Sequence, residues 1–108
     1  MTGSTQNRRI VLFLPNNWVA NKRRWLGIPQ IALILTALLK TRYDFSILDA
    51  NGEDLSLEAA RSRLSELDPA VILLSGLSVE YFNQYHVGLR VAREACPNAA
   101  IVFGGVYP

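Results

Sequence analysis

Two short segments combine glycine with hydroxyl-bearing or aromatic side chains and are the candidates for ligand-binding chemistry. Ser75-Gly76-Leu77-Ser78 follows one apolar run, and Gly104-Gly105-Val106-Tyr107-Pro108 follows another. Glycine permits positive φ and close approach of a ligand to the backbone, and a serine hydroxyl both donates and accepts hydrogen bonds. We predict a binding site at these segments. The plainer interpretation is a turn at Gly104-Gly105 and a serine that starts the next helix.

The residues suited to metal binding or nucleophilic catalysis are few. Cys96 is the single cysteine and His86 the single histidine, so a zinc or iron–sulfur site cannot be built from this chain. Cys96 has no histidine near it in sequence and is interpreted as a packing residue. His86 falls inside a predicted helix and is interpreted as a structural or surface residue.

Composition limits the class of protein. The chain has 108 residues, of which 50% are hydrophobic and 19% charged, and its net charge is +2. These values indicate one globular domain and give no reason to expect nucleic-acid binding. The longest uncharged run, Trp25 to Leu39, is too short and too interrupted to span a membrane. The polar start, Met1 to Asn7, lacks a secretory signal pattern, so a cytoplasmic location is expected.

Four continuous apolar runs must position the binding segments. They are Ile10 to Leu14, Phe45 to Leu48, Val71 to Leu74 and Ile101 to Phe103. Continuous rather than alternating apolar residues are typical of parallel strands covered on both faces.

Three helical patterns separate these runs. The first starts near Pro29, has an apolar stripe from Ile31 to Leu39, and is expected to be the most buried helix. The second begins after Ser56 as N-cap and includes Leu57, Ala60, Leu64 and Leu67. The third runs from about Val79 to Cys96, with Phe82, Tyr85, Leu89 and Ala92 at helical spacing, and ends before Pro97.

This alternation predicts a flavodoxin-like (Rossmann-like) three-layer α/β/α sandwich with a parallel sheet in the order 2-1-3-4. Ligands bind outside the carboxyl ends of the strands where the order reverses, which here means the loops after Leu14 and Leu74, with Gly104-Gly105 beside them. The long Pro15 to Ile28 stretch is a further functional candidate. Residues 1–108 are expected to form one domain from a longer polypeptide, cut before its last strand.

The separation of the two segments resembles a known pattern. Ser75-x-Leu77, then 26 residues, then Gly104-Gly105 resembles the Ser-x-Leu and Gly-Gly pair of cobalamin-binding domains. The chain from Arg9 onward is similar to the N-terminal domain of cobalamin-dependent radical S-adenosylmethionine (radical SAM) enzymes. The further matching segments are Gly27-Ile28-Pro29, Ile47-Leu48-Asp49-Ala50, Leu55-Ser56-Leu57-Glu58, Asp68-Pro69-Ala70-Val71 and Gly104-Gly105-Val106-Tyr107-Pro108.

The resemblance implies a role for each matching residue. Ser75 would hydrogen-bond the dimethylbenzimidazole of cobalamin, Leu77 would line its slot, and Gly104-Gly105 would leave room for the nucleotide tail. The cofactor-binding set implied is Asn16, Asn17, Trp18, Ser75, Gly76, Leu77, Ser78, Gly104, Gly105, Val106 and Tyr107.

The loop after the first strand differs from one motif of cobalamin-binding domains, and this difference indicates which branch of the family the chain resembles. Methionine synthase and mutase modules place Asp-x-His-x-x-Gly after the first strand, whereas this chain has Pro15-Asn16-Asn17-Trp18-Val19-Ala20-Asn21. Asn16, Asn17 or Trp18 would then face the lower side of the corrin, which is held base-off without a histidine ligand.

The family implies the rest of the enzyme as well. The resemblance implies a following radical SAM domain in the same polypeptide, which acts as a methyltransferase or, in some relatives, as a cyclase. That domain would hold a 4Fe–4S cluster and S-adenosylmethionine. The cluster's three-cysteine motif is absent from these 108 residues, so this chain alone is expected to catalyse nothing.

Other functions fit the residues less well. A degenerate domain of the same fold that serves as a scaffold or interaction module without cofactor is the alternative, favoured by tight packing of the Pro15 to Ile28 loop. A dinucleotide site would need a Gly-x-Gly-x-x-Gly turn after the first strand besides Asp49. Lys22, Arg23 and Arg24 beside Trp18 and Trp25 are too few for a nucleic-acid footprint.

Overall fold

The computed structural model describes residues 8–16, 30–76 and 82–105. Strands and helices alternate throughout these residues. The elements are β1 (Arg9–Leu14), α1 (Gln30–Leu39), β2 (Asp44–Asp49), α2 (Leu57–Leu67), β3 (Val71–Gly76), α3 (Phe82–Ala95) and β4 (Ala100–Gly105).

The four strands form one parallel sheet in the order β2-β1-β3-β4. Helix α1 packs on one face, and α2 and α3 pack on the other. The predicted fold class, a three-layer flavodoxin-like α/β/α sandwich with strand order 2-1-3-4, is therefore confirmed.

The continuous apolar run of β1 is explained by burial on both faces. Val11 and Phe13 point into the cluster formed with α2 and α3, whereas Leu12 and Leu14 belong to the cluster under α1. All four side chains are at most 2% exposed. Because successive side chains of a strand alternate between faces, a central strand of a parallel sheet needs an apolar residue at every position.

Helix α2 begins and ends at residues that satisfy its terminal backbone groups. The Ser56 hydroxyl accepts a hydrogen bond from the Ala59 backbone N–H at 3.1 Å, as predicted for an N-cap. At the other end Asp68 adopts a left-handed conformation, with φ of 47°, and its N–H donates to the Leu64 carbonyl.

Helix α1 differs from the sequence prediction, since it is not the most buried helix. Leu33, Ile34 and Leu38 are 59%, 47% and 64% exposed. The physical reason is that α1 contacts the sheet on one side, through residues such as Leu35, and no described element covers its other sides. Ala60 and Leu64 of α2 and Val91 and Ala92 of α3 are buried instead.

The third helix is described from Phe82, and its predicted first residues, from Val79, lie outside the described residues. Among the described residues no helix has the length and apolar character needed to cross a membrane.

Candidate functional site

The carboxyl edge of the sheet brings the two predicted binding segments together. In the β3–β4 register Ser75 pairs with Gly104, and Gly76 pairs with Gly105. These residues were predicted to lie in loops, but they are the last two residues of β3 and β4. Strand pairing depends on backbone groups, so the ladder continues past the point where large apolar side chains stop.

Four residues on two adjacent strands therefore meet at this edge, 29 positions apart in sequence. Three of them are glycine and the fourth is serine. These positions contribute a single side chain between them, which allows a bulky group to approach the backbone.

Asn16, two residues after the end of β1, makes hydrogen bonds to other residues of the domain. Its side chain is buried, and its Nδ2 donates to the Asp54 carboxylate at 2.8 Å and to the Leu55 carbonyl at 3.3 Å. Asp54 has a positive φ of 53°. Asn16 thus ties the end of β1 to the turn before α2, a role that sequence reasoning did not predict.

Asp49 organises the same turn from the end of β2. Its Oδ1 accepts from the Gly52 N–H at 2.7 Å, and its backbone carbonyl accepts from the Glu53 N–H. A Cβ on Gly52 would lie 2.2 Å from Asp49 Oδ2, so a side chain at this position would displace the carboxylate from its hydrogen bond. Asp49 is accordingly a turn residue.

Helix α3 approaches the end of β1 closely at Gly88. A Cβ there would lie 2.5 Å from Pro15 Cγ and 2.9 Å from Pro15 Cβ. Pro15 and Asn16 are both buried, so the beginning of the Pro15 to Ile28 stretch is packed against the body of the domain. Glycine within the helix was the available sequence signal for this contact.

Six predicted cofactor-binding residues lie outside the described residues. They are Asn17, Trp18, Leu77, Ser78, Val106 and Tyr107. The basic and aromatic group from Trp18 to Trp25 and the remainder of the Pro15 to Ile28 loop lie outside them too.

His86 and Cys96 are placed as their interpretations expected. His86 is exposed on α3, beside a cavity of about 530 Å³ that Leu89, Arg90 and Arg93 also line. Cys96 is 6% exposed and its Sγ donates to the Leu64 carbonyl. Burial, reinforced by the Asp68 carboxylate and opposed by Arg93, raises the pKa of the Cys96 thiol. A thiol held protonated in this way is a poor nucleophile.

The amino edge of the sheet is held by two arginines that the sequence did not single out. Arg9 bridges the Asp44 carboxylate, at 2.8 Å, and the Leu67 carbonyl, while Arg93 donates to the carbonyls of Pro97 and Ala99. Cationic side chains near helix carboxyl ends satisfy carbonyls that the helix leaves unpaired. A cavity of about 340 Å³, lined partly by Asp68 and Cys96, lies at this edge, away from the candidate site.

Metal chemistry has no support in the part of the chain that is described. No group of three or more histidine, cysteine, aspartate or glutamate side chains converges within residues 8–16, 30–76 and 82–105.

Comparison with known proteins adds no relative. The chain matches no protein-family model, no curated protein and no solved structure.

Proposed function

We propose that this chain is the cobalamin-binding domain of a cobalamin-dependent radical SAM enzyme. The observation that carries the proposal is the β3–β4 register, which sets Ser75 beside Gly104 and Gly76 beside Gly105 at the carboxyl edge. The spacing of the Ser-x-Leu and Gly-Gly pair suggested the cofactor. The register gives that spacing a physical basis, because it brings residues that are 29 positions apart in sequence side by side at one edge of the sheet.

Each residue at the edge has a defined task in this proposal. Ser75 hydrogen-bonds the benzimidazole, Leu77 lines the slot for it, and Gly104 and Gly105 leave room for the tail. Ser78, Val106, Tyr107, Asn17 and Trp18 complete the surroundings. Asn16 acts as a positioning residue, because its amide N–H groups already bind Asp54 and Leu55.

The chain supplies no imidazole to the lower face of cobalt in this proposal. The Pro15 to Asn21 segment contains no histidine, and His86 lies exposed on α3. Bound cobalamin would supply methyl transfer, or cyclisation chemistry, to a partner radical SAM domain that holds the 4Fe–4S cluster and S-adenosylmethionine. We place that enzyme in the reducing cytoplasm, where the free buried thiol of Cys96 is stable.

The burial of Pro15 and Asn16 favours a second candidate function. Tight packing of the whole loop across the strand ends would suit a domain that keeps the fold, binds no corrin and acts as a scaffold or interaction module. The two functions differ in a measurable property, which is saturable binding of cobalamin.

Visible-absorbance titration of the folded chain with hydroxocobalamin tests the proposal. Saturable binding with a spectrum lacking an imidazole ligand is expected. Ser75→Trp should abolish binding, because an indole at the end of β3 fills the space beside Gly104. Ser62→Trp, at an exposed position of α2, introduces the same side chain away from the edge and should bind normally.

Circular dichroism of both variants separates loss of binding from loss of fold. A folded wild-type chain that produces no spectral change would reject the cobalamin proposal and support the scaffold. Equal binding by folded Ser75→Trp and wild type would instead reject the location of the site at β3 and β4.

A further inference from the structure

The turn between β2 and α2 contains a chemically reactive pair of residues. Asn51-Gly52 is the single Asn-Gly pair of the sequence. In a flexible chain such a pair deamidates readily, because glycine has no side chain to hinder attack by its backbone nitrogen on the preceding asparagine. The folded chain holds both reacting groups of this pair, the Gly52 nitrogen and the Asn51 side chain, in contacts that oppose the reaction.

The reaction converts the asparagine to an acid. The Gly52 nitrogen loses its proton to solvent and bonds to the Asn51 side-chain carbonyl carbon. The bond from that carbon to the amide nitrogen breaks, and ammonia leaves. Water then opens the cyclic imide at either of its carbonyls, which gives aspartate or isoaspartate. The net change consumes water, releases ammonia and needs no oxidant or reductant.

The attacking nitrogen is held by Asp49. The Gly52 N–H donates to Asp49 Oδ1 at 2.7 Å, and hydrogen bonds to a carboxylate are among the stronger ones in proteins. The carboxylate also opposes loss of the proton from this N–H, because the resulting amide anion would form beside a like charge. Attack on Asn51 therefore requires the bond to Asp49 to break.

The attacked side chain is held by burial. Asn51 is 0% exposed. Its backbone N–H donates to the Leu14 carbonyl at 3.2 Å, and its carbonyl accepts from the Asp54 N–H at 3.3 Å. Because the interior is close-packed, the Asn51 side chain has little freedom to rotate toward the Gly52 nitrogen, and the water that must open the imide has little access.

We propose that Asn51-Gly52 is a latent deamidation site, which Asp49 and the burial of Asn51 protect in the folded chain and which reacts when the turn opens. The product does not fit the original turn. Aspartate would place a charge where a fully buried amide lies, and isoaspartate would lengthen the backbone between β2 and α2. Opening of the turn is thereby recorded as a covalent change. The proposal is independent of cobalamin, because it does not use the β3–β4 pair.

Peptide mapping by mass spectrometry, after incubation of the chain in mildly alkaline buffer, is the first test. Trypsin cleaves after Arg42 and Arg61, and the peptide between these sites contains Asn51 as its single asparagine. A sample digested without incubation corrects for deamidation during the digest. The native chain should keep Asn51 intact, whereas the chain in guanidinium chloride should gain the mass of an acid in place of an amide, as two separable isomers.

Asp49→Ala separates protection by the carboxylate from protection by the fold as a whole. In native buffer this variant should deamidate at least about tenfold faster than the wild type, since a hydrogen bond to a charged group is lost. Asp44→Ala is the matched control, because it removes a carboxylate of the same strand that binds Arg9. The control should deamidate at the wild-type rate.

Circular dichroism shows whether each variant is folded during the incubation. Asp49→Asn keeps an oxygen acceptor of the same shape and removes the charge, so it serves if Asp49→Ala does not fold, and it should also deamidate faster than Asp44→Ala. Folded Asp49 variants that deamidate no faster than Asp44→Ala would overturn the proposal. A native wild-type chain that deamidates as fast as the denatured chain, or a denatured chain that keeps Asn51 intact, would overturn it as well.

Discussion

Individual residues of the matching segments divide into those that serve the fold and those available to a ligand. Asp49 holds the turn at Gly52, Ser56 caps α2, and Asp68 ends it. These structural roles account for all three residues at their positions, so none of them needs a cofactor to explain its presence. Ser75 and Gly104 pair with each other at the carboxyl edge of the sheet. The functional proposal therefore depends on the latter pair.

Gly88 is the residue at which a single methyl group should disturb the packing of α3 on β1. In Gly88→Ala the new Cβ would lie 2.5 Å from Pro15 Cγ, and the proline ring cannot rotate away from the backbone. Overpacking costs about 1–3 kcal/mol, whereas alanine gains about 1 kcal/mol in helix propensity. We expect a net loss of about 1 kcal/mol in the free energy of unfolding, measured by urea denaturation.

Ser62→Ala is the control for this substitution. Ser62 is exposed on α2, so the variant has the gain in helix propensity without a new contact. Its stability should equal or exceed that of the wild type. If Gly88→Ala were as stable as Ser62→Ala, the close approach of α3 to Pro15 would be wrong.

At the scale of elements, the capping of α2 makes a separate prediction. Ser56→Ala removes the acceptor for the Ala59 N–H and should lower the free energy of unfolding by about 1 kcal/mol. Ser56→Asp keeps an acceptor and adds a favourable charge at the helix amino terminus, so it should retain wild-type stability. Thermal or urea unfolding of both variants measures the difference. Equal losses in the two would show that the cap does not stabilise α2.

The lengths of β3 and β4 show why element ends are difficult to predict. Apolar side chains stop at Leu74 and Phe103, and the sequence pattern ends both strands there. Backbone pairing extends each strand by two residues, through Gly76 and Gly105. That extension brings serine and glycine side by side rather than leaving them on separate loops.

Helix α1 shows a related difference between composition and environment. Its apolar sequence predicts the most buried of the three helices, yet three of its large side chains face solvent in the single chain. Hydrophobicity predicts that a helix will be covered, but it does not identify the covering element.

For the molecule as a whole, cobalamin binding should be coupled to folding. The proposed site joins residues from β3 and β4, so it exists in the folded chain and not in the unfolded one. Hydroxocobalamin at 100 times its dissociation constant should then raise the free energy of unfolding by about 2.7 kcal/mol. Urea unfolding at fixed protein concentration measures this change, and Ser75→Trp should show none. Spectral binding without stabilisation would indicate association with the unfolded chain.

The sequence by itself determined the order of strands and helices, the cap at Ser56 and the flavodoxin-like class. These features follow from local periodicity and short-range hydrogen bonds, which are visible in neighbouring residues. Tertiary structure alone decided that Ser75 meets Gly104, that Asn16 binds Asp54, and that Leu33 faces outward. Each of these depends on the pairing or covering of segments far apart in the chain, where register and the identity of the neighbour have no local signal.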